Sequence, residues 1–192
     1  MKTLFKIICC LVLFSCSGSD DDTSSNNKPT EPPVEGYFQA KIEGVDKKVE
    51  NKGTTHYVEW RKSKDSHNRD YYGIFIYAYD QGFYLDSKIY TDNIEVGKEY
   101  VYVHTDVPTS MNMDINYSET CAAPNCSSYW GCTNSFYGKP TGKITITSFD
   151  GKKMSGKIET KVNHQYYGVT TNQTRTISSG VFVNAEKATG SL

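Results

Sequence analysis

The feature of this sequence that most constrains its fold is a recurring alternation of side-chain character in short segments. The segments are YFQAKIEG, THYVEWR, YGIFIYAY, KEYVYVHT and MNMDINY, at 37–44, 55–61, 72–79, 98–105 and 111–117. Alternation with period two puts every second side chain on one face, as in a half-buried β-strand. Gly, Asp and Asn fall between the segments, at the spacing of a meander or sandwich.

The composition agrees with strands. The chain contains 15 Tyr and 8 Phe, and aromatic and β-branched residues suit pleated, half-buried surfaces better than helices. No stretch of a dozen residues keeps a helical period of apolar positions. We predict an all-β fold for residues 36–192, an antiparallel β-sandwich or partly closed barrel of about 8–10 strands.

Two hairpins are predicted from local sequence. In GKITITSFDGKKMSGKIETKV, residues 142–162, Ile144 and Ile146 share one face and Asp150-Gly151 supplies the positive-φ positions of a tight turn. A second turn is expected around Gln81-Gly82.

The end of the chain contains one further strand signal. SSGVFVNA, residues 178–185, is expected to be a late strand, with TTNQTRT at 170–176 as a loop and EKATGSL at 186–192 as a frayed tail.

The N-terminus has the pattern of an export signal. Lys2 and Lys6 precede the apolar run IICCLVLF at 7–14, which is much shorter than the roughly 20 residues that span a bilayer. A basic head, a short apolar segment and the small residue Ser15 are typical of a signal peptide. We therefore predict a signal at 1–15, a tether at 16–35 and one domain after it.

Leu13, Ser15 and Cys16 resemble the lipobox of bacterial lipoproteins. This resemblance implies that the Cys16 thiol is acylated and that the chain is cut before it. Several acyl chains, each adding about 0.8 kcal/mol per buried CH₂, give firm membrane anchoring. We expect a lipid anchor as the contact with the membrane.

The residues that follow, Ser19, Asp20, Asp21 and Asp22, resemble the signal that sends Bacteroidetes lipoproteins to the outer face of the outer membrane. The resemblance implies a protein that is lipid-anchored in the outer membrane and faces the cell exterior. The alternative is a solvated charge run in a linker.

Three patches of the domain resemble a family of small, uncharacterised Bacteroidetes lipoproteins. They are FQAKIEG, GKITITSFDGKKMSGKIE and SSGVFVNA, and they cover about a third of the domain. The resemblance implies a β-rich surface-exposed lipoprotein without known catalysis and carries over no functional residues.

The segment CAAPNCSSYWGC contains Cys121, Cys126 and Cys132. Outside the cell these thiols are expected to form one disulfide and leave one free thiol. We favour Cys121 with Cys132, a closure worth about 2–3 kcal/mol. The alternative is a zinc site with His104, but the spacing is looser than a zinc knuckle, so no metal is predicted.

Tyr129 and Trp130 lie inside this segment. Aromatic side chains on a stapled loop are candidates for a ligand contact; the alternative is that Trp130 turns inward and covers the sheet. Trp60, in an alternating strand, is predicted to be in the core.

No catalytic motif is present. The four histidines lack metal-ligand spacing, and there is no nucleophile elbow, phosphate loop or dinucleotide fingerprint. Acidic pairs, Asp65 with Asp70 and Asp86 with Asp92, are assigned to turns. We predict no catalytic residue, no cofactor and no enzyme.

The predicted function is binding at the cell envelope, with a glycan, a peptide or an envelope protein as ligand. The 21 basic residues nearly balance the 22 acidic ones, which gives no basic field for nucleic acid. Two alternatives are an envelope hydrolase that acts on glycan or peptide and a protective inhibitor lipoprotein.

Overall fold

The structure is a computed structural model that describes residues 35–103, 110–120, 127–131, 140–166 and 169–189. These residues form eleven strands and two short 3-10 turns, so the predicted all-β class is confirmed. The strands are β1 (Tyr37–Ile42), β2 (Val45–Glu50), β3 (His56–Lys64), β4 (Asp70–Ala78), β5 (Phe83–Ile89), β6 (Glu99–Val101), β7 (Met113–Thr120), β8 (Ser127–Gly131), β9 (Thr141–Phe149), β10 (Lys153–Tyr166) and β11 (Val169–Lys187). The 3-10 turns are Gly53–Thr55 and Tyr79–Gln81.

The strands follow one hydrogen-bonded order, β2-β1-β11-β3-β4-β5-β7-β8-β10-β9-β6, with a further pairing between β10 and β11. All pairs are antiparallel except β11 with β3, which run parallel over two residues. The order ends in two edge strands, β2 and β6. The sheet is therefore open and sandwich-like and is not closed into a barrel.

The long strands β10 and β11 take part in both layers, so that the continuous strand order folds into two packed layers. The first half of β10 pairs with β9, and its second half pairs with β8. Its pairing with β11 shifts register at three places, and such bulges bend a strand from one layer into the next. The first layer contains β2, β1, β9, β6 and the adjoining parts of β10 and β11, and the second contains β3, β4, β5, β7 and β8.

The core lies between these layers. The ring of Phe38 in β1 is 5.8 Å from that of Phe83 in β5, and Trp60 in β3 is 5.0 Å from Phe149 in β9. Trp60 is buried, as predicted. Gly142 allows close approach, because a Cβ there would lie 2.9 Å from Ile115 of the other layer.

Both predicted hairpins are present. β9 and β10 are joined by a turn in which the Asp150 carboxylate accepts from the backbone N–H groups of Lys152 and Lys153 at 2.8 and 2.6 Å. Only Gly151 has positive φ, +83°, so the expectation that Asp150 shares this conformation is wrong. β4 and β5 are joined through Gly82, with φ of +59°.

The expected loop at 170–176 and most of the expected tail are corrected, because both lie in or beside β11. Thr174 and Thr176 pair with β10. At the other end, the Lys187 N–H donates to the carbonyl of Lys152 at 3.0 Å, and the Ala188 N–H donates to the carbonyl of Trp60 at 2.9 Å. The end of β11 thus joins the β9–β10 turn to β3.

Each edge strand is protected in its own way. β2 has the sequence VDKKVE, which is rich in charge. Beside β6, the Asn112 amide donates to the carbonyl of Val101 at 2.6 Å and accepts from the N–H of Val103 at 3.1 Å. Within the described ranges, no helix is long and apolar enough to cross a membrane.

Candidate functional site

The outer face of the second layer concentrates aromatic and ionisable side chains. Alternation along the strands sends Val58, Trp60, Ile74, Ile76 and Leu85 into the core and sends their neighbours outward. We call this outer surface the tyrosine face; it comprises Tyr57, Glu59 and Arg61 of β3, Tyr71, Gly73, Phe75 and Tyr77 of β4, Tyr84, Asp86 and Lys88 of β5, and Asp114 and Asn116 of β7.

Strand register arranges the aromatic side chains in a row. Tyr57 is directly opposite Tyr77, which is opposite Tyr84. The rings of Tyr57 and Tyr77 stack at 5.2 Å, and those of Tyr77 and Tyr84 meet edge to face at 6.0 Å. All three side chains are half-buried. Their mutual packing holds the rings in place across three strands.

The next part of the face is built on a glycine. A Cβ at Gly73 would lie 2.5 Å from the ring of Phe75, so this ring lies along the strand over the glycine. The Arg61 guanidinium stacks on the ring, with its Cζ 4.0 Å from the ring centroid. Phe75 is therefore only 4% exposed although it is outside the core.

A pair of carboxylates is joined through an amide on the other side of the face. The side-chain N–H₂ of Asn116 donates to Asp86 at 2.8 Å and to Asp114 at 3.0 Å. The Tyr84 hydroxyl also donates to Asp86, at 3.4 Å. Asp86 is in the middle of β5, so its assignment to a turn is wrong.

Burial changes the acidity of several groups on the tyrosine face. Loss of water raises the pKa of Asp114 above its usual range, and the hydrogen bond from Asn116 only partly opposes this. Burial likewise raises the pKa of Glu59, with the positive charge of Arg61 acting in the opposite direction. The pKa of Tyr84 is also raised, by burial and then by the charge of Asp86.

The outer face of the first layer is chemically different. A groove of about 210 Å³ there is lined by Glu99, Lys143, Thr145, Thr147, Lys157 and Glu159. The Lys143 ammonium pairs with Glu99 at 3.2 Å and with Glu159 at 3.5 Å. These three charges pair with one another, and no aromatic ring lines this groove.

The expectation that Trp130 contacts a ligand at the surface is corrected, because its side chain is 2% exposed. Trp130 is in β8, not in a loop, and its ring lies 5.5 Å from that of Tyr117 and 5.1 Å from that of His164. The Arg175 guanidinium is 4.8 Å from it. Tyr129 is opposite Ser118, and its side chain lies outside the described part of the structure.

Several predicted residues lie outside the described ranges: Cys16, Ser19, Asp20, Asp21, Asp22, His104, Cys121, Cys126 and Cys132. Lipidation, export and the disulfide therefore stay predictions. Among the residues that the structure describes, no three His, Cys, Asp or Glu side chains are placed to hold a metal ion.

One further cluster has groups that occur in acyl-transfer sites. The His56 ring meets the Thr55 hydroxyl at 3.1 Å through Nδ1 and Asp80 at 2.5 Å through Nε2. Asp80 is 67% exposed, so water competes for this contact. A nucleophile needs a base that is itself held and sheltered, and this cluster does not provide that.

Sequence reasoning missed the tyrosine face because its residues come from four strands. The available signal was the type of residue at the outward positions: Tyr, Phe, Asp and Arg stand where a solvated face ordinarily carries Lys, Thr and Glu. The strand partners that bring them together are not encoded locally.

Comparison with known proteins gives no relative from which a function could be transferred. No family model, curated protein or solved structure matches this chain. The function of this chain must therefore be inferred from its own geometry.

Proposed function

We propose that this protein is a non-enzymatic binding module of the cell envelope that holds a polysaccharide on the tyrosine face. In this proposal Cys16 carries the lipid anchor and Ser19 to Asp22 direct the protein to the exterior of the outer membrane. The N-terminal sequence supports the anchor, and the tyrosine face supports the binding function.

The observation that carries the proposal is the combination of fixed aromatic rings with planar polar groups on one sheet face. Ring edges and faces pack against the C–H groups of a sugar. Carboxylate, amide and guanidinium groups such as Asp86, Asn116 and Arg61 form hydrogen bonds of defined direction with hydroxyl groups. Since the rings of Tyr57, Tyr77 and Tyr84 are already packed, little side-chain entropy is lost on binding.

The same surface is less suited to a protein partner. Protein interfaces bury an apolar centre inside a polar rim. Among the described residues, the large apolar side chains that are exposed are Val45, Tyr79, Val96, Val101 and Val103, and none of them belongs to the tyrosine face. The side chains of the tyrosine face end mostly in polar groups, and these suit a ligand that has many hydroxyl groups.

An envelope hydrolase is the second candidate, because Asp86 and Asp114 contact one amide nitrogen. Their bonded oxygens are therefore less than about 6 Å apart, near the separation of about 5–5.5 Å in retaining glycosidases. However, Asp114 is 8% exposed and its Oδ1 is enclosed without a partner. A general acid must reach the leaving group, so we place this function second.

Binding can be tested with full-length protein in detergent and a panel of neutral and acidic polysaccharides. The test variant is Tyr57→Ser with Tyr77→Ser, and the control is Thr145→Ser with Thr147→Ser on the opposite outer face. We expect the tyrosine variant to lose binding at least tenfold while the control stays within about twofold of wild type.

Retained binding in the tyrosine variant would overturn the proposed site. If wild type binds none of the polysaccharides, the proposed polysaccharide-binding function is wrong. A protein partner is then favoured and would be sought by pull-down from intact cells. Release of reducing sugar by wild type but not by Asp86→Asn would establish the hydrolase instead.

A further inference from the structure

The row of rings formed by Tyr57, Tyr77 and Tyr84 continues past the end of β4. Tyr79 follows Tyr77 by two residues, with the buried Ala78 between them. The ring of Tyr79 lies 6.4 Å from that of Tyr77. The side chain of Tyr79 is 72% exposed, whereas the three rings of the row are half-buried. Tyr79 therefore borders the tyrosine face and is the ring most open to a ligand.

The turn that carries Tyr79 is held by contacts on several sides. The N–H of Gly82, which has φ of +59°, donates to the carbonyl of Tyr79 at 3.1 Å. The Asp80 carboxylate meets His56 Nε2 at 2.5 Å, and the Gln81 amide donates to a backbone carbonyl of β2 at 3.3 Å. The backbone under the exposed ring is thus ordered before a ligand arrives, which lowers the entropy lost on binding.

Two carboxylates lie close to the row of rings. Glu59 follows Tyr57 by two residues in β3, and Asp86 follows Tyr84 by two residues in β5. At about 3.4 Å per residue, the Cα atom of each acidic residue is roughly 7 Å from the row. The Tyr84 hydroxyl donates to Asp86 at 3.4 Å, so this charge contacts the row directly. A polyanion along the rings would therefore meet charges of its own sign.

The two cations of the tyrosine face lie farther from the row. Arg61 and Lys88 are each two residues beyond the carboxylates, roughly 13 Å along their strands from the tyrosines. The Arg61 guanidinium is stacked on Phe75, and the Lys88 ammonium is 5.6 Å from the ring of Tyr71. With Asp114 included, the face has three carboxyl groups and two cations. Its charge therefore disfavours an acidic ligand.

We propose that the tyrosine face binds an uncharged polysaccharide and that one sugar ring of this polymer stacks on the exposed ring of Tyr79. This inference rests on the proposed function, and it names the ligand class and a further contact. The C–H groups of a sugar pack on the aromatic ring. Sugar hydroxyl groups donate to Glu59 and Asp86, and an uncharged sugar avoids the repulsion that a carboxylated sugar would meet there.

The test uses dextran, soluble starch and hydroxyethyl cellulose, each beside a carboxymethylated copy. Binding to full-length protein in detergent is measured for wild type, Tyr79→Ser and Tyr79→Phe. The control is Tyr37→Ser, which removes a half-buried tyrosine from the outer face of the first layer. Glu59→Gln removes one carboxylate from beside the row, and thermal unfolding of each variant monitors the fold.

We expect wild type to bind at least one uncharged polymer, and to bind it at least tenfold more tightly than its carboxymethylated copy. Tyr79→Ser should lose about tenfold, because the stacking ring is gone. Tyr79→Phe keeps the ring and should stay within about twofold of wild type, as should Tyr37→Ser. Glu59→Gln should narrow the difference between each polymer and its carboxymethylated copy.

Carboxymethylated polymers that bind as tightly as the uncharged ones would overturn the inferred ligand class and leave the proposed function standing. A difference that Glu59→Gln leaves unchanged would contradict the role of charge. If Tyr79→Ser binds like wild type while Tyr57→Ser with Tyr77→Ser loses binding, the contact at Tyr79 is wrong and the proposed site stands. Binding of wild type to none of the polymers would overturn the proposed function itself.

Discussion

At the scale of single residues, four buried side-chain polar atoms of the described ranges have no hydrogen-bond partner: Arg61 Nε, Ser87 Oγ, Asp114 Oδ1 and Trp130 Nε1. Buried groups of this kind are rare and costly, and they occur where function or packing compensates. Two of the four are on Arg61 and Asp114. The tyrosine face therefore contains two of the four unpartnered buried polar atoms of the described residues.

Trp130 is predicted to act on stability and not on binding. Trp130→Ala removes a ring packed against Tyr117 and His164, which should lower the free energy of unfolding by about 3 kcal/mol. Urea unfolding measures this, with Tyr79→Ala, which changes a 72% exposed side chain, as the control. If Trp130→Ala leaves stability unchanged but abolishes polysaccharide binding, Trp130 is instead a surface residue that contacts the ligand.

Asp114 should make stability fall as pH rises. Because the pKa of its carboxyl group is higher in the folded than in the unfolded state, the folded state holds the proton more tightly, and stability decreases above the ordinary Asp value of 3.8. Asp114→Asn should remove this decrease.

Asp150 should have the opposite effect to Asp114 on how stability depends on pH. The N–H groups of Lys153 and Lys152 lower the pKa of its carboxyl group, so its contribution to stability is present at neutral pH and disappears as the solution becomes acidic. Unfolding of Asp114→Asn and Asp150→Asn at a series of pH values from about 3 to 8 should show opposite changes. Parallel profiles for the two variants would contradict this assignment.

At the scale of elements, alternation was sufficient to predict most of the strands but not β2 and β8, nor the partners of the strands or all of their ends. The segments that became β1, β3, β4, β7 and β9 follow period two, and side-chain sterics alone favour that outcome. TTNQTRT contains no apolar residue and resembled a loop. Its residues join β11 because β10 supplies the backbone partner, which is a long-range effect.

The site was less accessible to sequence reasoning than the fold. Tyr57, Phe75, Asp86 and Asn116 are separated by up to dozens of residues, and only the order β3-β4-β5-β7 makes them neighbours. Local sequence predicts a surface role for Trp130 because it gives no signal for the strand β8. Its two cross-strand partners, β7 and β10, fix the side that its ring faces.

The last residues of β11 and Ala188 should contribute measurably to the free energy of unfolding, although they are few. Ala188→Pro removes the N–H that donates to the Trp60 carbonyl, at an expected cost of about 1–2 kcal/mol in the free energy of unfolding. Ala188→Ser keeps the N–H and is the control. The midpoint of urea unfolding gives the measurement, and equal midpoints for the two variants would show that the parallel contact with β3 is dispensable.

At the scale of the whole molecule, the two outer faces have different chemistry. On one face Lys143 pairs with Glu99 and Glu159, and on the other the stacked tyrosines lie beside the stack of Arg61 on Phe75. The proposed function assigns polysaccharide binding to the second of these faces only.

The predicted location of the protein on the outer membrane can be tested by cell fractionation. If Cys16 carries the predicted lipid anchor, Cys16→Ser should move the protein from the membrane to the soluble fraction. Replacing Asp20, Asp21 and Asp22 by Ala should keep it on the membrane but protect it from protease added to intact cells. Continued external cleavage of that variant would show that the carboxylates are only part of the linker.

The Asn112 amide beside β6 affects how the domain behaves when many copies are close together. Proteins anchored in one plane meet at high local density, and an open strand edge offers a template on which neighbouring copies can stack. Asn112 already occupies the carbonyl of Val101 and the N–H of Val103, and β2 has charged side chains that disfavour the pairing of another strand. We therefore expect the domain to stay monomeric at high local concentration, without neighbouring copies joining edge to edge into fibres.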